Sequence, residues 1–483
     1  MELENENLLI QPSIVTEAHN RVLMDPYTER EVKMALFQLY PFKALGLDGF
    51  PAGFFQRFWS TIRQDFTAAC FSILNGGILP PGTNETLIVL IPKQNSATRM
   101  EEYRPISLTS VVSETVAKVI VNRLQQILPE VISPAQSAFV KGRLITDNYL
   151  ISHEADHFIK NSRYGRKCYG SLKLDMSKAY DRVEWRYLKL LLLRFGFEAR
   201  WVSMILKYVS SVSYAICING KTTASFVPER GLRQGDPLSP YLFILCSEWL
   251  SYSLSNLQVE RSIKGIKISR GAPSVTHLMF ADDCLLLFKV GDGTAEALSS
   301  LLRNYESISG QIVNYNRSEL VLSPNVKETV KNNLQAKLSV KLVGHHDKYF
   351  GLPLSLKRKL TLNFSGLIDK FGNKTEGWKL KNLSSGGKEI LIKAILQALP
   401  QYAMDCFQLP EHIIKKMHCS IRRFWWSCST SKKLIYWVKA EVLCRDKDMG
   451  GLGFKDLKCI NLAFLAKQAW RIYTQPELLV SKI

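Results

Sequence analysis

The stretch Val275-Thr-His-Leu-Met-Phe-Ala-Asp-Asp-Cys-Leu-Leu-Leu-Phe288 decides the fold of this chain, because a pair of acidic residues interrupts an otherwise apolar run. The apolar residues on either side predict two short buried strands, with Asp282 and Asp283 at the turn between them. Two adjacent carboxylates in an apolar hairpin are costly to desolvate unless a cation compensates their charge. The hairpin therefore predicts a divalent metal site, and a solvated turn is the alternative, because Asp is an ordinary turn residue.

The composition is that of a globular protein with several subdomains. At 483 residues, with 46% hydrophobic and 10% aromatic residues, the chain can bury sizeable cores and is unlike a disordered protein. No apolar run reaches the length of a membrane span, and the acidic start is unlike a signal peptide. The ten cysteines form no CxxC pair, which favours reduced thiols. We therefore expect an intracellular protein with no membrane partner.

The charge of the chain indicates a polyanionic partner. The formal net charge is +20 at pH 7, and a globular protein this basic usually binds nucleic acid. From Pro353 onward the chain has 23 Lys and Arg against 10 Asp and Glu. This basic tail is the region predicted to grip nucleic acid, and a surface charged only for solubility is the alternative.

A second candidate carboxylate follows a strand earlier in the chain. The segment Cys168-Tyr-Gly-Ser-Leu-Lys-Leu-Asp175 alternates as a strand does, and an amphipathic helix that ends at Gly196 follows it. Ligands of mixed sheets bind where a strand ends before a helix. Asp175 is therefore a candidate ligand-binding residue, with a helix cap as the alternative.

Two further segments predict contacts with phosphate or nucleotide. Gly231-Leu-Arg-Gln-Gly-Asp-Pro-Leu-Ser-Pro-Tyr241 places glycines, which allow close approach of the backbone to a ligand, before a helix start that suits an anion. Lys93 and Arg104 lie on two strand-like pieces whose hairpin would bring both bases together around a phosphate chain. Ordinary surface charge is the alternative for this pair, and a simple loop before a helix is the alternative for the segment 231–241.

Local patterns predict several other elements. Thr28 and Glu31 form a capping-box pattern before a helix, and Asn219-Gly220 lies between two apolar stretches as a hairpin turn. The aromatic cluster Phe54, Phe55, Phe58 and Trp59 has helical spacing, which predicts that it packs in a core, and a base-stacking platform is the alternative.

In their order and spacing, these motifs resemble the reverse transcriptase palm. The set consists of Asp175 with Tyr180, the loop Arg233-Gln-Gly-Asp-Pro237 and Phe280-Ala-Asp-Asp283. More closely, the chain resembles the polymerase region of plant LINE-type non-LTR retrotransposons from about Met24 to Ile483. Further matches are Leu90-Ile-Pro-Lys93, Tyr103-Arg-Pro-Ile-Ser-Leu108, Ser309-Gly-Gln311, Lys348-Tyr-Phe-Gly351 and Gly450-Gly-Leu-Gly-Phe454.

The resemblance implies an α+β right-hand polymerase with fingers, a palm with an antiparallel sheet, and a helical thumb, plus a basic, mainly helical C-terminal region. We expect an N-terminal, mainly helical extension over 1–85, fingers and palm over 86–352, a thumb over 353–430 and a truncated C-terminal extension over 431–483. It also implies a nuclear protein if the chain acts as a retrotransposon enzyme.

The resemblance further implies RNA-directed DNA polymerase activity with two Mg²⁺ ions, or Mn²⁺ in their place. Asp175 and Asp282 would bridge the ions, with Asp283 as the supporting carboxylate, and Tyr180 would exclude a 2′ hydroxyl. The remaining implied contacts are the nucleotide-pocket residues Arg233, Gln234, Gly235, Lys93 and Arg104 and the primer grip Tyr349, Phe350 and Gly351. The implied partners are an RNA template, a DNA primer or target, dNTPs and an endonuclease supplied by a missing domain or in trans.

The chain departs from the family pattern at three points. Leu45 and Leu47 stand where the family usually has prolines, and Arg317 stands where the family often has Lys, which weakens a general-acid role there. Without an endonuclease domain before Met1, we expect a fragment or truncated copy. The alternatives are a maturase-like polymerase, a viral RNA-dependent RNA polymerase, and a decayed copy that only binds nucleic acid.

Overall fold

The computed structural model describes residues 13–76, 82–94, 96–355, 363–379, 383–427 and 435–483. The helices are Glu17–Met24 (α1), Glu29–Gln38 (α2), Ala52–Arg57 (α3), Trp59–Leu74 (α4), Val111–Val131 (α5), Ile145–Asn161 (α6), Trp185–Phe195 (α7), Ala199–Ser210 (α8), Ser239–Val259 (α9), Thr294–Ser309 (α10), Glu328–Leu338 (α11), Ser365–Lys379 (α12), Ser385–Leu391 (α13), Gln401–Cys406 (α14), Glu411–Trp426 (α15), Ala440–Leu443 (α16), Leu457–Thr474 (α17) and Leu479–Lys482 (α18). The strands are Glu85–Pro92 (β1), Tyr103–Leu108 (β2), Cys168–Leu174 (β3), Ser213–Ile218 (β4), Lys221–Thr222 (β5), His277–Phe280 (β6), Asp283–Val290 (β7), Glu319–Leu322 (β8), Lys341–Leu342 (β9), Lys348–Tyr349 (β10) and Leu352–Pro353 (β11). None of the helices in these ranges is long and apolar enough to cross a membrane.

The chain divides into two compact units. The first contains the residues up to Arg143 together with Tyr164–Ile266 and Ser274–Leu342, and the second contains Leu144–Arg163, Lys267–Pro273 and the residues from Val343 onward. The N-terminal helices thus share a unit with the large sheet, while α6 belongs with the C-terminal helices. The domain boundaries at residues 85, 352 and 430 stay a prediction.

A five-stranded sheet in the first unit contains both predicted carboxylate segments. Its strand order is β6-β7-β3-β8-β9, with antiparallel pairing everywhere except between β8 and β9. Strand β3 pairs with β7 in the register Leu174↔Cys284 and with β8 in the register Leu172↔Leu320. The mixed fold with an antiparallel sheet is therefore confirmed, and Asp175 leaves β3 beside the predicted hairpin.

A second sheet in the same unit has the order β2-β1-β4-β5. Strands β1 and β2 form the predicted hairpin, in which Ile91 lies opposite Arg104. The predicted turn at Asn219-Gly220 joins β4 to β5, and both turn residues have a positive φ, 51° and 79°, as a tight hairpin turn favours. Both local predictions are thus confirmed.

The first helices follow the sequence pattern closely, with one exception. The capping box at Thr28 and Glu31 starts α2 and is confirmed. The core prediction for the aromatic cluster is wrong at two positions, because Phe54 is 36% and Phe58 45% exposed while Trp59 is buried. Helical spacing places residues on one face, but only the neighbouring chain decides whether that face is covered.

Polar side chains fasten the helices of the second unit to each other. The Asn461 side chain accepts a hydrogen bond from the Leu409 N–H at 2.8 Å and donates to the carbonyls of Met404 and Phe407 at 2.8 and 2.7 Å. The Arg471 guanidinium forms a two-pronged ion pair with the Asp147 carboxylate on α6. These contacts explain why α6 groups with the C-terminal helices.

Candidate active site

The predicted acidic hairpin is present, but the prediction that Asp283 lies in the turn is wrong, because Asp283 is the first residue of β7 and the turn lies one residue earlier. Phe280 pairs with Asp283, so Ala281 and Asp282 are the two turn residues between β6 and β7. Ala281 has a φ of 54°, in the left-handed region that residues with a Cβ rarely occupy. The turn thus projects Asp282 from the end of the sheet in a conformation that the rest of the protein must hold in place.

Asp175 lies next to this turn because it directly follows β3, the strand that pairs with β7. Its N–H donates to the Ser318 hydroxyl at 3.2 Å, and its carbonyl accepts from the Asn314 N–H at 2.7 Å. Ser318 is the residue that follows Arg317, one of the departures from the family pattern. The segment before β8 therefore fixes the backbone from which the Asp175 carboxylate projects.

The three carboxylates interact electrostatically. Partial burial and then the Asp175 charge raise the pKa of Asp282, although the residue is exposed overall and Arg104 opposes the shift. Burial and then the neighbouring Asp282 charge raise the pKa of Asp283 to about 6, against the opposing charge of Lys173. These raised pKa values mean that negative charge is held close together here at an energetic cost.

This donor set suits divalent cations. Mg²⁺ prefers carboxylate oxygens and keeps several ligands from water and substrate phosphates. Within the ranges that the structure describes, no three acidic, His or Cys side chains converge closely enough to form a complete metal site by themselves. Asp175 and Asp282 are two carboxylates within electrostatic reach of each other, and this donor chemistry fits a divalent cation.

The Tyr180 ring is fixed by stacking and lies near the carboxylates. It lies in the 3₁₀ turn Tyr180–Arg182 and stacks on Phe243, with ring centroids 5.0 Å apart and planes 12° apart. Burial, followed by the Asp282 charge, raises the pKa of its hydroxyl, which places the ring near that carboxylate. The structure thus places Tyr180 within electrostatic reach of Asp282, which is itself within reach of Asp175.

Gln234 lies in the same region and is hydrogen-bonded to Asp181, a residue that the sequence pattern did not single out. The Gln234 Nε2 donates to the Asp181 carboxylate at 3.3 Å, and Lys93 is within electrostatic reach of that carboxylate. Burial raises the pKa of Asp181, against the hydrogen bond from Gln234. Asp181 follows Tyr180 directly, so its position in the motif was the only sequence signal available.

Gly235 is required by a close approach between two backbones. Its φ is 112°, and a Cβ at this position would lie 3.1 Å from the Ser107 carbonyl. The Ser107 N–H in turn donates to the Gln234 carbonyl at 2.8 Å. The loop is therefore fastened to strand β2, which carries Arg104.

Arg233 is buried in the interior, although the sequence pattern assigned it to the nucleotide. It is 5% exposed, its guanidinium lies 2.7 Å from the Asp236 carboxylate, and it stacks over the Tyr208 ring at 4.5 Å. It also donates to the Asn84 side chain, and the Tyr208 hydroxyl donates to Asp236 at 2.8 Å. Arg233 thus acts on a ligand only through the loop that it supports.

We expect Arg233→Met to destabilise the first unit strongly. It leaves the buried Asp236 carboxylate without its cation, a change that costs about 3–5 kcal/mol in comparable buried pairs. Urea denaturation should show this loss, while the control Arg230→Met, which removes an exposed ion pair to Glu184, should cost at most about 1 kcal/mol. Equal effects of the two changes would contradict a supporting role for Arg233.

Lys93 and Arg104 lie on the β1–β2 hairpin, as predicted. Both are exposed, and the Lys93 ammonium donates to the Glu101 carbonyl at 2.7 Å within the hairpin. The Arg104 charge opposes the rise in the pKa of Asp282, so its guanidinium is within electrostatic reach of the acidic turn. The two bases therefore approach the site from the hairpin, Lys93 towards Asp181 and Arg104 towards Asp282.

The predicted primer-grip residues lie in the second unit. Tyr349 ends β10 and is buried, while Phe350 and Gly351 form the turn to β11 with φ values of 51° and 81°. The primer-grip role of these residues stays a prediction.

A buried carboxyl group on α9 makes the stability of the first unit dependent on pH. Burial raises the pKa of Glu248 from 4.5 to about 8, although the Ser133 N–H donates to it at 3.0 Å and Arg143 lies nearby. In the unfolded chain this carboxyl ionises near its ordinary pKa of 4.5, whereas in the folded protein it ionises only near pH 8. Its contribution to stability should therefore be full below about pH 4.5 and be lost as the pH rises through about 8.

We therefore expect Glu248→Gln to stabilise the protein at pH 9 relative to wild type, and not at pH 5. The gain should be up to several kilocalories per mole, at about 1.4 kcal/mol per pKa unit. Thermal unfolding at both pH values measures it, with Glu260→Gln at an exposed position as the control. A difference that does not depend on pH would refute the assignment.

In the five-stranded sheet, Asp175 follows the end of β3 and lies beside the acidic turn between β6 and β7. The Tyr180 ring and the loop that contains Gly235 lie near these carboxylates. This arrangement is that of the palm of a right-hand polymerase. Residues 91–347 match the family model described as reverse transcriptase (RNA-dependent DNA polymerase). The chain belongs to this family.

Known relatives extend the similarity over the whole chain. The transposon TX1 uncharacterized 149 kDa protein of Xenopus laevis is 28% identical over 96% of this chain and 34% of its own length. A retrovirus-related Pol polyprotein from the type-1 retrotransposable element R2 of Popillia japonica is 27% identical over 61% of this chain and 39% of its own length. The chain therefore spans only about a third to two fifths of the length of these relatives.

A solved structure of apo telomerase from Candida tropicalis, truncated from its C-terminal domain, is also similar. It is 14% identical, with a TM-score of 0.36, over 58% of this chain and 57% of the other.

Proposed function

We propose that this chain is the polymerase region of a non-LTR retrotransposon and extends a DNA primer on an RNA template with dNTPs. The observation that carries this proposal is the meeting of Asp175, Asp282 and the stacked ring of Tyr180 at one end of the sheet. The retrotransposon relatives support the type of element. Two uncharacterized mitochondrial proteins of Arabidopsis thaliana, 48% and 47% identical over only 18% and 15% of this chain, are the observation behind the proposal of a plant source.

Nucleotide addition requires negative charge that holds divalent cations next to the primer end. Asp175 and Asp282 would hold two Mg²⁺ ions, and Asp283 would be the supporting carboxylate that adds negative charge to the site. The ions, when bound, activate the primer hydroxyl and stabilise the leaving pyrophosphate. Mn²⁺ has similar ligand preferences and is expected to substitute.

The other side chains position the nucleotide. Tyr180 would pack against the sugar, and Gln234 with Gly235 would line the pocket. Lys93 and Arg104 would neutralise the triphosphate from the β1–β2 hairpin, Arg104 with its planar guanidinium. Tyr349 to Gly351 would contact the primer, and the basic second unit would bind the heteroduplex through its phosphates.

Within the retrotransposon, a separate endonuclease activity would nick the target, and the enzyme would act in the nucleus. A primer-extension assay with an RNA template, a DNA primer, dNTPs and Mg²⁺ tests the polymerase proposal. Extension that requires Mg²⁺ or Mn²⁺ supports it. Tight heteroduplex binding without extension would leave a protein that only binds nucleic acid.

A further inference from the structure

A side chain outside the predicted site is bonded to the acidic turn. Gln136 is fully buried, and its Oε1 accepts hydrogen bonds from the Ala281 N–H at 3.1 Å and the Ala138 N–H at 3.0 Å. Ala281 directly precedes Asp282. One acceptor atom therefore connects the acidic turn to the loop 133–143, which precedes it by more than a hundred residues.

The turn needs such a restraint because of its backbone conformation. Ala281 has a φ of 54°, where a glycine would be favoured at the first position of a two-residue hairpin. A residue with a Cβ keeps such a conformation only where surrounding contacts enforce it. The hydrogen bond to Gln136 is a contact of this kind at the strained residue itself.

Backbone pairing sets the position of Gln136 relative to the turn. Gln136 forms a parallel bridge with Met279 on β6. The Met279 N–H donates to the Ala135 carbonyl at 2.8 Å, and the Ser137 N–H donates to the Met279 carbonyl at 3.0 Å. The loop thus extends the sheet past β6, and its register directs the Gln136 side chain to Ala281.

The loop is itself anchored on the side away from the turn. The half-buried Arg143 guanidinium donates to four main-chain carbonyls, which belong to Pro129, Ile132, Ser133 and Gln136. The Ser133 and Ser251 hydroxyls are 2.7 Å apart, and Ser251 is 2.8 Å from the His277 Nε2 on β6. The loop is therefore a rigid support rather than a flexible connection.

We propose that Gln136 is a positioning residue for nucleotidyl transfer, whose side-chain carbonyl sets the Ala281 turn and through it the direction of the Asp282 carboxylate. The catalytic consequence rests on the proposed function, while the hydrogen bond can be tested without activity. The Gln136 Nε2 has no hydrogen-bond partner within the described ranges. Only the acceptor oxygen of Gln136 should therefore be needed to hold the turn. This predicts that a substitution that removes the oxygen loosens the turn and one that keeps it does not.

The experiment compares three variants of the full chain with wild type. Gln136→Met removes the acceptor at similar length, and Gln136→Glu keeps an acceptor oxygen. Gln468→Met removes a buried glutamine in the second unit, where its amide donates to the Thr146 hydroxyl at 2.8 Å. Hydrogen exchange of the peptide that contains Ala281 and Asp282 reports on the turn, steady-state kinetics on the reaction, and thermal unfolding on the fold.

We expect Gln136→Met to accelerate exchange at the Ala281 amide by about tenfold or more. Its kcat should fall by about a hundredfold, as expected for misplacement of a reacting group, with the dNTP KM within about threefold of wild type. Gln136→Glu keeps the acceptor oxygen and should leave exchange at the Ala281 amide near wild type. It also adds a carboxyl group near Asp282, so kcat is compared only between Gln136→Met and wild type. Gln468→Met should leave the Ala281 amide unchanged.

Two results would overturn the proposal. Unchanged exchange at Ala281 in Gln136→Met would show that the hydrogen bond does not hold the turn, whatever the activity. Faster exchange throughout the first unit with a matching loss of thermal stability would show a general role in folding. A wild-type chain that extends no primer would instead refute the proposed function. The exchange result would still decide whether the hydrogen bond from Ala281 to Gln136 holds the turn.

Discussion

Replacing Asp282 by Asn should reduce primer extension on an RNA template by about a thousandfold or more. Removal of a single group that stabilises transition-state charge typically costs a hundredfold to a thousandfold, and here the lost charge also holds a cation. The amide keeps the shape of the carboxylate, so the turn and its hydrogen bonds should survive. The loss should therefore appear in the chemical step and not in the binding of template and primer.

A single-turnover measurement at saturating Mg²⁺, with a separate titration of the template–primer duplex, distinguishes these steps. The control is Asp292→Asn, which neutralises an exposed acid shortly after β7 in the same unit. Both variants carry the same change in net charge, so a general electrostatic effect on nucleic-acid binding cancels between them. A loss below tenfold for Asp282→Asn would refute the assignment of this carboxylate.

The same variant should be as stable as wild type or more stable when divalent cations are absent. The pKa of Asp283 is raised first by burial and second by the Asp282 charge. Neutralising Asp282 therefore removes a repulsion between the two carboxylates. Thermal unfolding in a chelator measures the difference, which should shrink when Mg²⁺ is added. A large loss of stability would show that Asp282 has a structural role instead.

The sequence could predict those parts of the fold that short segments specify by themselves. The acidic hairpin, the turn at Asn219 and the end of α10 at Gly310 all follow from the residues within a few positions of each. Glycine and asparagine at positive φ are local requirements. For that reason the positions of Asp175 and Asp282 at strand ends could be predicted without knowledge of the sheet order.

Arg233 shows where such prediction stops. A basic residue in a glycine-containing loop before a helix has the pattern of a phosphate ligand. Its actual partners are Asn84 just before β1, Tyr208 on α8 and Asp236 in its own loop, and the first two are distant in sequence. Burial depends on how these segments pack, which no local period encodes.

Gln136 and the exposed Phe54 are two further examples of the same limit. A glutamine in a loop has no periodicity, and its partner Ala281 lies 145 residues away. Phe54 has the spacing of a core residue, yet the surrounding elements leave it 36% exposed. In both cases the decisive interaction is a contact between segments that are distant in sequence, so the pattern predicts the element and not its environment.

Replacing Tyr180 by Ala should weaken selection against ribonucleotides by on the order of a hundredfold. The ring stacks on Phe243 at 5.0 Å and so has little freedom to move aside for a larger sugar. Discrimination of this kind rests on a clash with the wrong substrate rather than on attraction to the right one. The expected change is therefore a rise in ribonucleotide incorporation with little change for deoxynucleotides.

Tyr180→Phe provides the matched control because it keeps the ring and removes only the hydroxyl. Burial raises the pKa of that hydroxyl, so it is neutral at physiological pH and its removal changes no charge. If the ring excludes the 2′ hydroxyl, Tyr180→Phe should retain the wild-type selectivity. Loss of selectivity in both variants would assign the discrimination to the hydroxyl instead.

The measured quantity should be the ratio of kcat/KM for dNTP and rNTP on the same variant. Loss of an aromatic pair costs about 0.5–1.5 kcal/mol of stability, which lowers the folded fraction and both rates equally. The ratio cancels this effect and leaves only the difference in transition-state energy between the two sugars. An unchanged ratio in Tyr180→Ala would therefore refute the steric role of Tyr180 even if the variant were less stable.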